Sequence, residues 1–162
     1  MTREEIVRTM RVLITAGSET SATLLSGAIY YLLKNPTWLE QLKLELDTAF
    51  KDESEMTLAS LGKLKVLNAV LSETSRMYPP VPVMLPRKTI ERDAVVCGTV
   101  IPKGCVVGVL QYAASRSSRY FKHPDVFSPE RYLGDMEFKD DNKSASQPFS
   151  VGPRNCIGQV SS

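Results

Sequence analysis

The chain has 162 residues and a mass of 18.0 kDa, the size of one ordinary domain or of a piece of a larger one. Its 20 Lys and Arg against 18 Asp and Glu leave a net charge of +2, which excludes a basic nucleic-acid arm or an acidic tail as the main theme. A content of 43% hydrophobic and 23% charged residues is that of a folded domain, and an odd, irregularly spaced set of cysteines (Cys97, Cys105, Cys156) argues against a secreted disulfide framework.

Met-Thr-Arg-Glu-Glu leads straight into an amphipathic pattern, unlike a signal peptide. Residues 2–34 read as one long helix, because Ile6, Met10, Leu13, Gly17, Leu24, Ala28 and Leu32 recur at three- and four-residue steps. Residues 12–33 are apolar enough to raise the question of a membrane span. Glu19 in their midst, with Thr15, Ser18, Thr20, Ser21, Thr23 and Ser26, is content a bilayer tolerates poorly. Asn35-Pro36 ends this helix, since proline disfavours helical geometry in the residue before it. A second helix, from about Thr37 to Phe50, carries Trp38, Leu39, Leu42, Leu46 and Phe50 on one side. Residues 57–62 form a short helical turn, and Lys65 to Met77 a further helix with Leu67, Val70, Leu71 and Thr74 inward.

The texture then changes. Tyr78-Pro-Pro-Val-Pro-Val-Met-Leu-Pro86 cannot be helical and reads as an extended connector. The valine-rich runs 94–101 and 105–112 predict a hairpin turning at Pro102-Lys103-Gly104, with Cys97 and Cys105 as strand residues. Residues 134–147 are polar, charged and without periodicity. The fold class is therefore mainly α with a small β portion, followed by an irregular C-terminal third.

Three segments carry possible chemistry. In Phe149-Ser-Val-Gly-Pro-Arg-Asn-Cys-Ile-Gly158 two glycines bracket a cysteine, so that tight turns could aim peptide N–H groups at its sulfur. Such donors favour the thiolate, the form that binds soft metals, while Arg154 offers a fork for carboxylates. A lone loop cysteine is otherwise an inert structural residue. Glu73-Thr-Ser-Arg76 places an acid and a base on one helix face; taken alone it is an exposed ion pair worth about 0–1 kcal/mol. At Ala16-Gly17-Ser18-Glu19-Thr20 a helical glycine leaves a groove beside a hydroxyl, where a flat ligand could lie; the bland alternative is a polar break in a core helix.

Together these resemble the cytochrome P450 family. Phe149, Gly152, Arg154, Cys156 and Gly158 match all five fixed positions of its haem-binding loop. The resemblance implies haem b with Cys156 as the axial iron ligand, Arg154 as a propionate partner and Phe149 packed beside the sulfur. It implies that Glu73 and Arg76, with Arg131 from Pro129-Glu130-Arg131-Tyr132, form a buried structural triad behind that loop. It makes Thr20 the hydroxyl that hydrogen-bonds bound dioxygen and Glu19 a proton relay. Arg87, after Pro86, stands where relatives often carry a second propionate-binding arginine, although a surface arginine explains it equally; Val81, Val83, Met84 and Leu85 would then lie on the substrate side.

By the same resemblance the activity is a monooxygenase that inserts one oxygen atom of O2 into a small organic substrate, with NADPH electrons arriving through a flavoprotein reductase. Fungal microsomal members of secondary metabolism are the most similar. Their attachment to the cytosolic face of the endoplasmic reticulum would use an anchor preceding residue 1. The match covers the distal helix to the haem loop, a partial domain over 1–162 truncated after that loop, and Val160-Ser161-Ser162 departs from the long helix that follows in the family. The alternative is a non-catalytic truncated fragment that does not retain haem, since a following helix would direct its positive end at the thiolate. Other features are decoys. His123 is the sole histidine, which excludes a histidine metal cluster, and it is expected on the surface. Gly98 to Gly104 lacks the Gly-Lys-Ser/Thr ending of a phosphate loop. Asn142-Lys-Ser144 fits a glycosylation pattern that means little without a secretory signal.

Overall fold

A computed structural model describes residues 1–90 and 94–161. Ser162, the last residue of the departing tail, lies outside them. Six helices are described: α1 (Arg3–Lys34), α2 (Pro36–Ala49), α3 (Leu58–Leu61), α4 (Lys65–Met77), α5 (Gln111–Ser115) and α6 (Glu130–Leu133). Four short strands are β1 (Arg87–Lys88), β2 (Ala94–Val96), β3 (Thr99–Ile101) and β4 (Val106–Val107). Among the described residues no helix is long and apolar enough to cross a membrane.

Thr2 opens α1 with a capping box: its hydroxyl accepts from Glu5 N, and its own N–H donates to the Glu5 carboxylate. Pro36 then occupies the first turn of α2, where a missing N–H costs nothing. The α2 register brings Trp38 and Leu42 into a core with Leu32, Val70, Met77 and Phe127. Tyr31 of α1 stacks flat on Phe127 with centroids 4.8 Å apart. Helix α4 is central, with Glu73 through Met77 all buried, whereas Leu67 and Leu71 are only half-buried. It lacks an N-cap side chain of its own. Glu45 of α2 substitutes, accepting from Val66 N at 2.9 Å and Leu67 N at 3.0 Å.

Only Gly27, Ala28 and Leu32 of α1 are buried, and residues 1–19 are exposed throughout. The N-terminal half of the predicted apolar stripe (Ile6, Met10, Leu13) therefore has no packing partner among the described residues.

The hairpin forms, but at a different place. Strand β2 pairs with β3 through Ala94–Ile101, Val95–Val100 and Val96–Thr99, so the turn is Cys97-Gly98. Both residues have positive φ, 49° and 79°, as a two-residue turn of this hand demands. Cys97 is thus a turn residue and not a strand residue. Pro102-Lys103-Gly104 makes a second bend, with Gly104 at φ 90°, that returns the chain so β4 pairs with β1 (Arg87–Val107, Lys88–Val106). Cys105 lies outside the strands, its carbonyl accepting from Thr89 N. Within 134–147, 3₁₀ turns form at Met136–Phe138 and Lys143–Ala145, and another follows Cys156 at Ile157–Ser161.

Candidate functional site

Glu73, Arg76 and Arg131 meet in the core with no exposed surface. The Arg76 Nε and Nη2 donate to the two Glu73 oxygens at 2.8 and 2.7 Å, a bidentate pair. Arg131 Nε stands 3.4 Å from Glu73 Oε2 as an ion pair without hydrogen-bond alignment. A fourth member, Asp141, pairs with Arg131 Nη1, so two carboxylates balance two guanidinium groups. Further bonds run to carbonyls, from Arg76 Nη1 to Ser115 and Pro124, each at 2.7 Å, and from Arg131 Nη2 to Lys122 at 2.9 Å, while Arg76 Nη2 also meets the Met77 sulfur at 2.8 Å. Phe121 lies beneath both guanidinium planes, 5.1 and 5.6 Å away. Burial pushes the Arg131 pKa down while Glu73 opposes the shift. Next to it, burial raises the Tyr132 phenol to about 12. The cluster ties α4 to α5, α6 and residues 121–128, the scaffold from which the C-terminal loop departs. Spacing places Glu73 and Arg76 on one helix face, and the family resemblance implies their burial with Arg131, whereas Asp141 comes from a loop with no readable pattern.

The loop itself is closed by its backbone. Cys156 N donates to Phe149 O at 2.8 Å and Asn155 N to Gly152 O at 3.0 Å. Gly152 has φ 82° and Ser150, unusually for a residue with a Cβ, φ 61°. At Gly158 a Cβ would stand 3.5 Å from Cys156 Sγ, an ordinary contact, so neither packing nor backbone conformation requires glycine there. Cys156 is an exposed free thiol. The Asn155, Cys156 and Gln159 amides donate to carbonyls rather than to its sulfur, Gln159 N reaching Cys156 O at 3.3 Å in the 3₁₀ turn that follows. Phe149 is half-buried. Arg154 is exposed and, among the described residues, has neither hydrogen bond nor ion pair.

In α1 the Thr20 hydroxyl donates back to Ala16 O at 2.6 Å, a common resting state for a helical threonine. Glu19 is exposed, and the space beside Gly17 is open, with nothing within 4 Å of where a Cβ would be. Neither Glu19 nor Thr20 makes a hydrogen bond or ion pair with the Cys156 loop. His123 is exposed, beside Glu137 at 3.3 Å.

Between the connector and the C-terminal loop lies a cavity of about 580 Å³. Val81, Val83 and Leu85 form one wall, Ser150 and Val151 another, and Arg87 is its one charged lining residue. Among the described residues the Arg87 side chain donates only to its neighbour's carbonyl, Pro86 O at 3.3 Å, which leaves its fork available to an acidic group. Gln111, Asn142 and Gln147 add amides that sequence reasoning missed, because four separate segments converge to line this space. Among the described residues no group of three His, Cys, Asp or Glu could cage a metal. A single thiolate suffices as protein ligand where a porphyrin supplies the other ligands of its iron. An apolar slot with one arginine, next to a loop that presents a free thiol, fits such a flat, acidic, iron-bearing group.

The family model for cytochrome P450 matches residues 1–160. The chain belongs to the cytochrome P450 family. It is 48% identical over 159 residues to the cytochrome P450 monooxygenase aclL of Aspergillus oryzae, covering 98% of this chain and 32% of that protein. It is 49% identical over 159 residues to an averantin hydroxylase of Dothistroma septosporum, covering 98% of this chain and 30% of that protein. Against the averantin hydroxylase of Aspergillus parasiticus the identity is 46%, over 98% of this chain and 32% of that one. This P450 chain thus spans about a third of the length of the curated relatives it matches. These relatives are fungal P450 enzymes, and hydroxylases are among them.

Proposed function

We propose that Cys156 supplies the thiolate ligand of a haem b held between the proline connector and the loop 149–158. The whole protein would then be a monooxygenase of fungal secondary metabolism that inserts one oxygen atom of O2 into a small organic substrate. Electrons would come from NADPH through a flavoprotein reductase, at the cytosolic face of the endoplasmic reticulum. The observation that carries this reading is the cavity in which Arg87 and the connector's valines face the cysteine-bearing loop. When bound, haem supplies the activation of O2 that protein side chains cannot perform.

The chain's own residues then have distinct tasks. The Cys156 sulfur donates electron density to the metal. Arg87 and Arg154 hold the carboxylates of the macrocycle, and Phe149 shields the sulfur. Thr20 has a hydroxyl that turns from the Ala16 carbonyl to a ligand, and Glu19, exposed on the same helix, exchanges protons with solvent. This acid–alcohol pair, together with hydroxylases among the relatives, favours oxygen insertion over peroxide rearrangement. The buried cluster of Glu73, Arg76 and Arg131 is architectural. A second reading, that the 162-residue chain alone does not retain haem, draws on the exposure of Cys156 and of residues 1–19.

The test is a carbon monoxide difference spectrum of the chain reconstituted with haem and reduced with dithionite. A strongly red-shifted Soret band that Cys156→Ala abolishes is the result expected for thiolate ligation. A spectrum of free or histidine-bound haem assigns the second reading to this chain.

A further inference from the structure

We propose that Gly27 is a positioning residue that sets where α1 carries the Glu19–Thr20 pair. The argument rests on the oxygen-handling role proposed above only for its catalytic consequence; its geometric part stands alone. Helix α1 is held by a short contact near its C-terminal end, where Gly27, Ala28 and Leu32 are its buried residues. Gly27 is the tightest point of that contact. A Cβ built there would lie 2.8 Å from Tyr78 Cδ1, 3.2 Å from Thr74 Cγ2 and 3.4 Å from Tyr78 Cβ. The absence of a side chain therefore lets α1 lie directly on the end of α4. Elsewhere in α1 the other glycine, Gly17, has open space around it, so only one of the two is required by packing.

Position 27 has leverage. With a rise of 1.5 Å per residue, Thr20 lies about 10 Å and Ile14 about 20 Å towards the N-terminus from Gly27, while Leu32 lies about 7.5 Å the other way. Relieving a 2.8 Å contact to an ordinary 3.4 Å one needs a shift of about 0.6 Å. Pivoting on Leu32, that becomes about 1.4 Å at Thr20 and about 2 Å at Ile14. Displacements of about 1 Å in a reacting geometry are enough to cost up to about 10²-fold in rate. Tyr78 adds a second connection, since it begins the connector whose valines line the cavity. One missing methyl group thus sets the spacing between the distal helix and the wall of the cofactor slot.

The experiment has two arms. In the 162-residue chain with Cys97, Cys105 and Cys156 changed to serine, spin labels at I14C and K139C report the position of α1 by pulsed EPR. Gly27→Ala is expected to move the mean distance by about 2 Å, and adding Tyr78→Ala, which removes the obstructing ring, is expected to restore it. Gly17→Ala, equally favourable to helix formation, should leave the distance unchanged. An unmoved distance in a folded Gly27→Ala chain overturns the proposal. If Gly27→Ala does not fold, Tyr78→Ala alone decides: a broadened distance distribution supports the Gly27–Tyr78 contact as what fixes the angle of α1, and an unchanged one overturns it.

In the complete monooxygenase, Gly27→Ala should lower product formed per NADPH several-fold with the thiolate Soret band intact, and Tyr78→Ala should rescue it. Coupling unchanged by Gly27→Ala but reduced by Thr20→Ala overturns the positioning role. Coupling unchanged by Thr20→Ala overturns the role of Thr20 and leaves the EPR distances to judge Gly27.

Discussion

Glu73 faces two guanidinium groups in a space with no water-exposed atoms, so its charge is worth more than its shape. Glu73→Gln keeps the shape and leaves the positive charges underbalanced, and urea unfolding should show a loss of about 3–5 kcal/mol, as when one partner of a buried pair is removed. Tyr132 responds to pH in a defined direction. Its phenol has a folded pKa raised from 10.0 to about 12, mainly by burial. The neutral form is the one the fold favours. The linked stability is therefore fully present below pH 10 and is lost as pH rises through about 12. Tyr132→Phe should flatten the stability profile over that window in thermal melts taken at stepped alkaline pH. At this scale the sequence is legible where spacing is local: Glu73 and Arg76 share a helix face because they are three residues apart. Asp141 and the Ser115 carbonyl are not legible, since they reach the same arginines from 10 and 39 residues away through loops without periodicity.

Helix α4 begins without a side-chain cap of its own and depends on α2 for one. Glu45→Ala should cost about 1 kcal/mol, the usual value of a capping group, measured by chemical unfolding. The same change should leave α2 intact, since Glu45 lies mid-helix there. Periodicity places α1, α2 and α4 within a residue or so of their observed ends, because each repeats its apolar side chains over several turns and stops at proline or a connector. The hairpin is misplaced by about five residues for a physical reason. Pro102-Lys103-Gly104 is the more conspicuous turn sequence, yet the tight two-residue turn forms at Cys97-Gly98, where both residues take the positive φ that a type I′ turn requires. A cysteine in that conformation carries no compositional signal.

Over the whole molecule, packing is concentrated around α4, while α1 projects its first half into solvent with Val12 at 67% and Ile14 at 68% exposure. An apolar surface of that kind drives association. Sedimentation velocity of the chain should show concentration-dependent oligomers, and the double change Val12→Lys with Ile14→Lys should shift the distribution to monomer. The cavity escapes sequence reading for a similar large-scale reason: residues 81–87, 108–114, 120 and 142–151 meet only once the buried cluster has drawn their segments together. The core also holds the chain's single tryptophan, Trp38, packed with Leu32 and Val70. Its emission should be that of a shielded indole and should shift to longer wavelength only when the core opens. Porphyrins absorb in the range where such an indole emits, so cofactor uptake would dim this one fluorophore without moving its maximum. Folding and loading are therefore separable by eye in a single, label-free spectrum.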